Sequence, residues 1–302
     1  MYELAILARG GVLLTVWALA AGWPPGRLAA RLRRDGWQRI CRGAWAVPGK
    51  ETDWRVRETA LQLLRPRYVC HHGTAARLHR IEVLTGAGPV RGSGSSAGAG
   101  SRASLPPRDV CLRRGLRVTT AARTAADLIR ASGSREEAVV TADSALSRRV
   151  VEGVRRDPPV RYEELAAQLS VRRPGAPRAR AWLRLADPAA GSPAETVARL
   201  RLADASLFPE SQPPLRTPAG RALHPDFLFR AAGLAVEVEG YAYHGTPRAH
   251  ERDIARFNAL QSCPEVHRVL RFTAREVLTR PDRMTATVRT ALEELGAATR
   301  AT

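Results

Sequence analysis

The sequence predicts a protein of the α/β class, an α+β multidomain chain, and three observations carry that expectation. Its 302 residues are enough for more than one core. Helix-like apolar spacing, as at Leu28 and Leu32, alternates with short strand-like runs such as Phe227–Phe229 and Leu234–Val238. The order of helix, hairpin and cap signals divides the chain into the parts 1–52, 53–185 and 186–302. Hydrophobic content of 44% and charged content of 25% belong to a globular protein and exclude a disordered one. The net charge is +19, from 48 basic against 29 acidic residues, with lysine only at Lys50. Such an excess asks for a polyanionic partner or a solvated surface, and nucleic acid leads among partners. Cys41, Cys70, Cys111 and Cys263 are too far apart for a zinc knuckle or a disulfide framework, and read as buried or idle thiols.

The first part opens on the apolar run Gly11–Trp23. A signal-peptide core has a similar composition, but the run is too short to span a bilayer. It also continues into Pro24-Pro25 and a basic stretch, which fits a packed helix better. A cytoplasmic protein with no membrane partner is therefore expected. Val12–Ala21 reads as a helix ended by Gly22, and Pro25 is placed to begin a second one. Leu28 and Leu32 give that helix an inward stripe, with Arg27, Arg31, Arg33 and Arg34 mainly off it, and Gly36 closes it. Trp37–Ile40, a turn around Arg42-Gly43 and Ala44–Val47 then read as a β-hairpin. Helix, turn, basic helix and hairpin is the order of a winged helix-turn-helix, so DNA contacts are expected at Arg27, Arg31, Arg34 and Arg42. A basic face that is merely solvated is the competing reading. The stretch resembles the N-terminal domain of AbiEi-type antitoxins, with Trp45 in the place of that family's tyrosine. The resemblance implies a transcriptional regulator and, as partner, a cognate toxin or another protein.

In the mixed middle region, Val69–Ile81 and Gly115–Ala131 resemble segments that follow the winged helix in the same antitoxin-like proteins. The second reads as a strand, a Thr119-Thr120 cap and a helix with Ala125, Leu128 and Ile129 inward. His71, His72 and His79 have no cysteine or acidic partner at metal-ligand spacing and read as core or surface residues. Thr85–Pro107, rich in Gly, Ser and Ala, is expected to be a flexible loop. A helix pair, Glu136–Ser147 and Tyr162–Leu169, precedes a Pro/Arg-rich linker or basic arm at Val171–Arg178.

The third part carries the chemistry. Ser192 is a good N-cap, with Pro193 in the first helical position and Glu195 in a capping-box place. Phe227–Phe229 and Leu234–Val238 flank the tight Arg230–Gly233 connection and form a hairpin. Asp226 opens that hairpin, and Glu237 and Glu239 lie on one face of its second strand while Val236 and Val238 face a core. Carboxylates crowded on a half-buried strand are unstable unless neutralised, and a divalent cation on oxygen ligands answers that need. Thr246-Pro247 opens a helix with Ile254, Phe257 and Leu260 inward, leaving Arg252, Asp253 and Arg256 free to reach phosphate or the acids. His267–Phe272 reads as a core strand, and Pro281–Leu295 as a last amphipathic helix stopped by Gly296.

This order of motifs resembles the PD-(D/E)XK nuclease superfamily and, within it, the very-short-patch-repair-like endonuclease domain. The resemblance covers about the last third of the chain. It implies a restriction-endonuclease-like α/β/α domain with a central mixed sheet, hydrolysing phosphodiester bonds of DNA with Mg²⁺ or Mn²⁺ as an endonuclease or nickase. Asp226 matches the first acidic metal ligand, Glu237 the second, and Glu239 falls at the superfamily's lysine position. Ser192-Pro193-Ala194-Glu195 matches a motif whose glutamate faces the site. The implied roles are metal ligation by Asp226, Glu237 and Glu195, and a second metal or the water's proton for Glu239. His244 would protonate the leaving oxygen, and Arg252 and Arg256 would offset charge on the phosphate. The chain departs from the pattern in having no lysine in this part, Phe257 in the place of an acid, and Val266-His267 in the place of Gly-Trp. Those departures favour an alternative from another class, an antitoxin-like regulator with a degenerate, non-catalytic nuclease-like domain. RNA processing is a further reading that the sequence does not separate from DNA cleavage.

Overall fold

The computed structural model describes residues 3–84, 105–239 and 247–301. Most of the expected loop Thr85–Pro107, the turn after Glu239, and His244 lie outside the described residues. The chain is a mixed α/β protein in two compact units, Met1–His79 with Gly88–Thr124, and Arg80–Ala87 with Ala125–Thr302.

In the first unit, β1 (Val12–Leu14), α1 (Thr15–Ala20), α2 (Pro25–Arg34), β2 (Gln38–Cys41) and β3 (Ala44–Ala46) follow in order. The strands form an antiparallel sheet of order β1-β3-β2. The expected helix Val12–Ala21 is thus a strand followed by a short helix. Val12 pairs with Ala46 and Leu14 with Ala44, so a partner some thirty positions away, invisible to local periodicity, turns the apolar run into a third strand. Leu28 and Leu32 of α2 pack with Leu13, Ala18, Trp37 and Trp45 in one core. The unit continues with α3 (Trp54–Leu64), capped by Asp53, α4 (His72–His79), and the hairpin β4 (Val110–Arg113) and β5 (Leu116–Thr119). Buried His79 donates its Nε2–H to the Thr119 carbonyl at 2.7 Å and ties α4 to β5 within this core. Helix α5 (Ala121–Ala131) begins here and continues into the second unit.

The second unit starts with α6 (Arg135–Leu146), the hairpin β6 (Arg149–Val151) and β7 (Val154–Arg156), α7 (Tyr162–Ser170) and α8 (Ala176–Leu183). Helix α8 occupies part of the expected basic arm, and its Ala176, Ala179 and Leu183 are buried at helical spacing. Next come α9 (Pro193–Asp204), β8 (Glu210–Ser211), β9 (Leu215–Arg216), β10 (Ala222–Leu223), β11 (Phe227–Phe229) and β12 (Leu234–Glu239). The chain ends with α10 (Pro247–Gln261), β13 (Arg268–Thr273), α11 (Ala274–Thr279) and α12 (Pro281–Ala301), which runs through Gly296 instead of stopping there. Helices 125–185 belong with this unit because α6 ties into α9. Buried Asp143 accepts the Thr196 hydroxyl at 2.8 Å, an Arg199 N–H at 2.9 Å and the Asp187 N–H at 2.7 Å.

A four-stranded mixed sheet of order β13-β12-β11-β8 centres the unit, with β12 and β13 parallel and the other pairs antiparallel. Alternation sorts its side chains. Phe227, Leu234, Val236, Val238 and Phe272 pack on one face against residues of α9, α11 and α12, such as Val197, Val277 and Met284. Leu228 and Ala235 face the other way, toward Leu260 of α10 and the β9–β10 hairpin. Gly233 closes the β11–β12 turn at φ 62°, where a Cβ would meet His267 at 2.6 Å, so only glycine fits.

Candidate metal centre and nucleic-acid surface

Asp226 and Glu237 both fall on the α10 side of the sheet, and α9 brings a third acid to them. The Ser192 hydroxyl accepts the Glu195 N–H at 3.2 Å, which fixes Glu195 in the first turn of α9. Its carboxylate then reaches back past the cap to the Gly191 N–H at 2.8 Å. A Cβ on Gly191 would stand 3.0 Å from Glu195 Oε1, so glycine allows this approach. Buried Arg149 holds the neighbouring residue in place by donating to the Ala190 carbonyl at 2.7 Å. Asp226 Oδ2 accepts the Val238 N–H at 2.7 Å, extending the ladder just beyond β11. Gln212 follows β8, and its side-chain amide donates to Asp226 Oδ1 at 2.8 Å and to Glu195 Oε2 at 3.1 Å. Both oxygens of Glu237 accept from one Arg256 nitrogen at 3.1 Å, and that nitrogen also reaches the His224 carbonyl at 2.8 Å.

Burial governs the electrostatics. Desolvation, then the charge of Asp226, pushes the Glu195 carboxyl up to about 7. Desolvation, then Glu237, pushes Asp226 up to about 6. Glu237 is raised by desolvation too, with Arg256 opposing. Loss of water and mutual repulsion outweigh the guanidinium, so the cluster favours a further positive charge.

Glu239 is set apart from these acids. It pairs with Arg271 Nε, and Arg271 in turn pairs with Asp253 at 2.5 Å and lies over the Phe257 ring, 5.1 Å from its centroid. The face that α10 turns to the sheet is therefore Asp253, Arg256, Phe257 and Leu260, an i, i+3, i+4, i+7 pattern. Ile254, expected inward, is 46% exposed. Arg256, expected to be free for phosphate, is committed to Glu237. The reason is the charge on the strands, which draws Arg256 and Asp253 inward and displaces the isoleucine. Arg252 is exposed.

Among the described residues, no group of three or more His, Cys, Asp or Glu side chains forms a ready cage for a metal ion. Each acid is instead tied to protein donors. The donor chemistry still suits a hard divalent cation that keeps most of its water and binds through one or two carboxylates, here Asp226 and Glu237. Sequence reasoning missed Gln212, Gly191 and Arg271. Arg271 carried a signal, a cation in an apolar strand, and the parallel register places it opposite Glu237.

In the first unit, α2 buries Leu28 and Leu32 and exposes Arg27, Arg31 and Arg34. Arg31 donates to Asp35 at 2.5 Å, and Arg34 lies 4.0 Å from the same acid. Arg42 is exposed in the hairpin turn. A groove of about 380 Å³ between α1, α2 and that hairpin is lined by Val16, Leu19, Arg33, Arg39, Arg42 and Trp45, among others. Among the described residues no helix is long and apolar enough to cross a membrane. Compared with known proteins, the chain matches no family model, no curated protein and no solved structure.

Proposed function

We propose that the protein is a nucleic-acid-binding, metal-dependent endonuclease or nickase of DNA, with a PD-(D/E)XK-like site in its second unit and a winged-helix-like DNA-binding surface in its first. One observation carries the reading. Glu195, Asp226 and Glu237 come from three separate elements to one place, where burial raises all three, in a chain whose net charge is +19. A module that only binds a polyanion gains nothing from desolvated acids. Asp226 and Glu237 would hold Mg²⁺ or Mn²⁺, which supplies a polarised phosphate oxygen and an acidified water. Glu195, raised to about 7, is matched to accept the proton of the attacking water near neutral pH. Glu239, held by Arg271, acts in positioning that strand. Arg256 leaves Glu237 to meet the charge that develops on phosphate.

A second reading, an AbiEi-type regulator with a non-catalytic nuclease-like domain, is favoured by the Arg256 ion pair that already occupies Glu237. Supercoiled plasmid incubated with the full chain separates the two. Nicking with Mg²⁺ or Mn²⁺, absent in EDTA and in Glu237→Gln, is the expected result. Intact plasmid and intact RNA under every divalent metal, with duplex binding retained, would give the protein to the regulator class.

A further inference from the structure

Gln212 follows β8 directly, just past the Ser211–Phe227 pair that joins β8 to β11. Its backbone takes a left-handed φ of 48°, which a residue with a Cβ adopts only where its neighbours hold it. Here the Gln212 N–H donates to the Asp226 carbonyl at 3.0 Å, and the Gln212 carbonyl accepts the His224 Nδ1–H at 3.2 Å. The side chain spans from the sheet to α9, its amide nitrogen donating to Asp226 Oδ1 at 2.8 Å and to Glu195 Oε2 at 3.1 Å. Ionised carboxylates only accept, so the nitrogen faces them, with one of its two hydrogens for each acid. The two ends of this bridge are unequal. Asp226 is fixed without it, because its Oδ2 accepts the Val238 N–H of β12 at 2.7 Å. The Gly191 and Ser192 contacts of Glu195 lie within its own helix cap. Among the described residues, the hydrogen bond from Gln212 is what ties the Glu195 carboxylate to the sheet.

The chemistry of the bridge is selective. A lysine or arginine here would compete with a metal ion for the same oxygens, and a glutamate would add charge to acids that already repel. Asparagine is one methylene shorter and would not span the same gap. Glutamine joins the two carboxylates through neutral donors and leaves their charge for the ion. We infer that Gln212 is a positioning residue for the reaction proposed above: it holds the Glu195 carboxylate at a set distance from Asp226, so that the proton acceptor stands beside the metal ligand. This role rests on the function given to Glu195 and Asp226 in that proposal. Gln212 contacts neither substrate nor ion in it and acts through Glu195, whose orientation toward the attacking water governs the rate.

Gln212→Met in the full chain keeps the length of the side chain and removes both donors. In plasmid nicking with Mn²⁺ it is expected to lower kcat about tenfold or more, with KM unchanged within about twofold. In a Glu195→Gln background the same change should cost no more than about twofold, because its effect passes through Glu195. Calorimetry should find its Mn²⁺ affinity within about threefold of the wild type, since Val238 and Arg256 still hold Asp226 and Glu237. In the metal-free chain, NMR should show both side-chain amide protons of Gln212 slow to exchange with water, and Glu195→Ala should release one of them. Should Gln212→Met fail to fold, Gln212→Asn takes its place, and the exchange pattern needs neither. A wild type that neither nicks nor binds Mn²⁺ removes the proposed function and this inference with it. If the wild type nicks, four results overturn this inference alone: Gln212→Met nicking at the same rate, losing Mn²⁺ together with nicking, costing as much without Glu195, or freely exchanging amide protons in the wild type.

Discussion

Replacing Glu195 by glutamine isolates the electrostatic tension of the site. The hydrogen bonds that this side chain receives from Gly191 N and from Gln212 Nε2 both end on Oε2. An amide oxygen in that place accepts both, and the new NH₂ takes the position of Oε1. The substitution therefore removes charge while keeping shape and bonds. A carboxyl moved from 4.5 to about 7 costs the folded state about 3 kcal/mol once it is ionised. The folded chain holds this proton more tightly than the unfolded chain. The cost is thus absent below about pH 4.5, grows as pH rises toward 7, and is complete above it. Glu195→Gln should therefore be more stable than the wild type by about 2–3 kcal/mol at pH 8, part of the gain being shared with Asp226, and equal to it at pH 4. Urea denaturation in EDTA at pH 4, 6 and 8 measures this. Addition of Mg²⁺ should narrow the difference at pH 8, because a bound cation offsets the same charge. A variant less stable than the wild type at pH 8, or a difference that does not change with pH, would refute the reasoning.

Removing the Arg256 side chain should have opposite effects with and without metal. Arg256→Ala strips Glu237 of its partner and should lower stability in EDTA by about 1–2 kcal/mol, the 40% exposure of the arginine side chain keeping the loss below that of a fully buried pair. The same variant should bind Mn²⁺ several-fold more tightly, as followed by calorimetry. In the first unit, Arg27→Ala, Arg31→Ala and Arg34→Ala together should weaken duplex binding and reduce the salt slope by up to roughly 2–3, measured by fluorescence anisotropy across salt, with melting unchanged.

The readable parts of this chain were those set by local signals. The β11–β12 hairpin follows from alternation and a tight turn, α9 from its Ser192-Pro193 start, and α2 from Leu28 and Leu32. Asp226 and Glu237 were legible for the same reason, since alternation puts them on one side of the sheet. Glu195 is visible through its cap, and its carboxylate goes on to bond Gly191 and Gln212. What the sequence concealed depends on distant partners. Strand β1 exists because β3 pairs with it, and Gln212 enters the site because β8 joins β11. The face of α10 was misread because apolar spacing favoured Ile254, while ion pairs with Glu237 and Arg271 set the helix the other way. Glu239 was grouped with Glu237 by alternation, and the neighbouring strand's Arg271 separates the two. Helix α8 was hidden by the prolines and arginines around it.

A manganese titration of the full chain bears most directly on the claim that the buried acids are kept for a divalent cation. Calorimetry is expected to show Mn²⁺ binding with release of protons near pH 6.5, because Glu195 and Asp226 hold protons there in part. Saturating metal should raise the melting temperature, by about 2.7 kcal/mol of stabilisation at a hundredfold excess over Kd. Asp226→Asn and Glu237→Gln should each abolish the heat. No binding at millimolar Mn²⁺, or binding that survives both substitutions, would contradict a metal centre at this site.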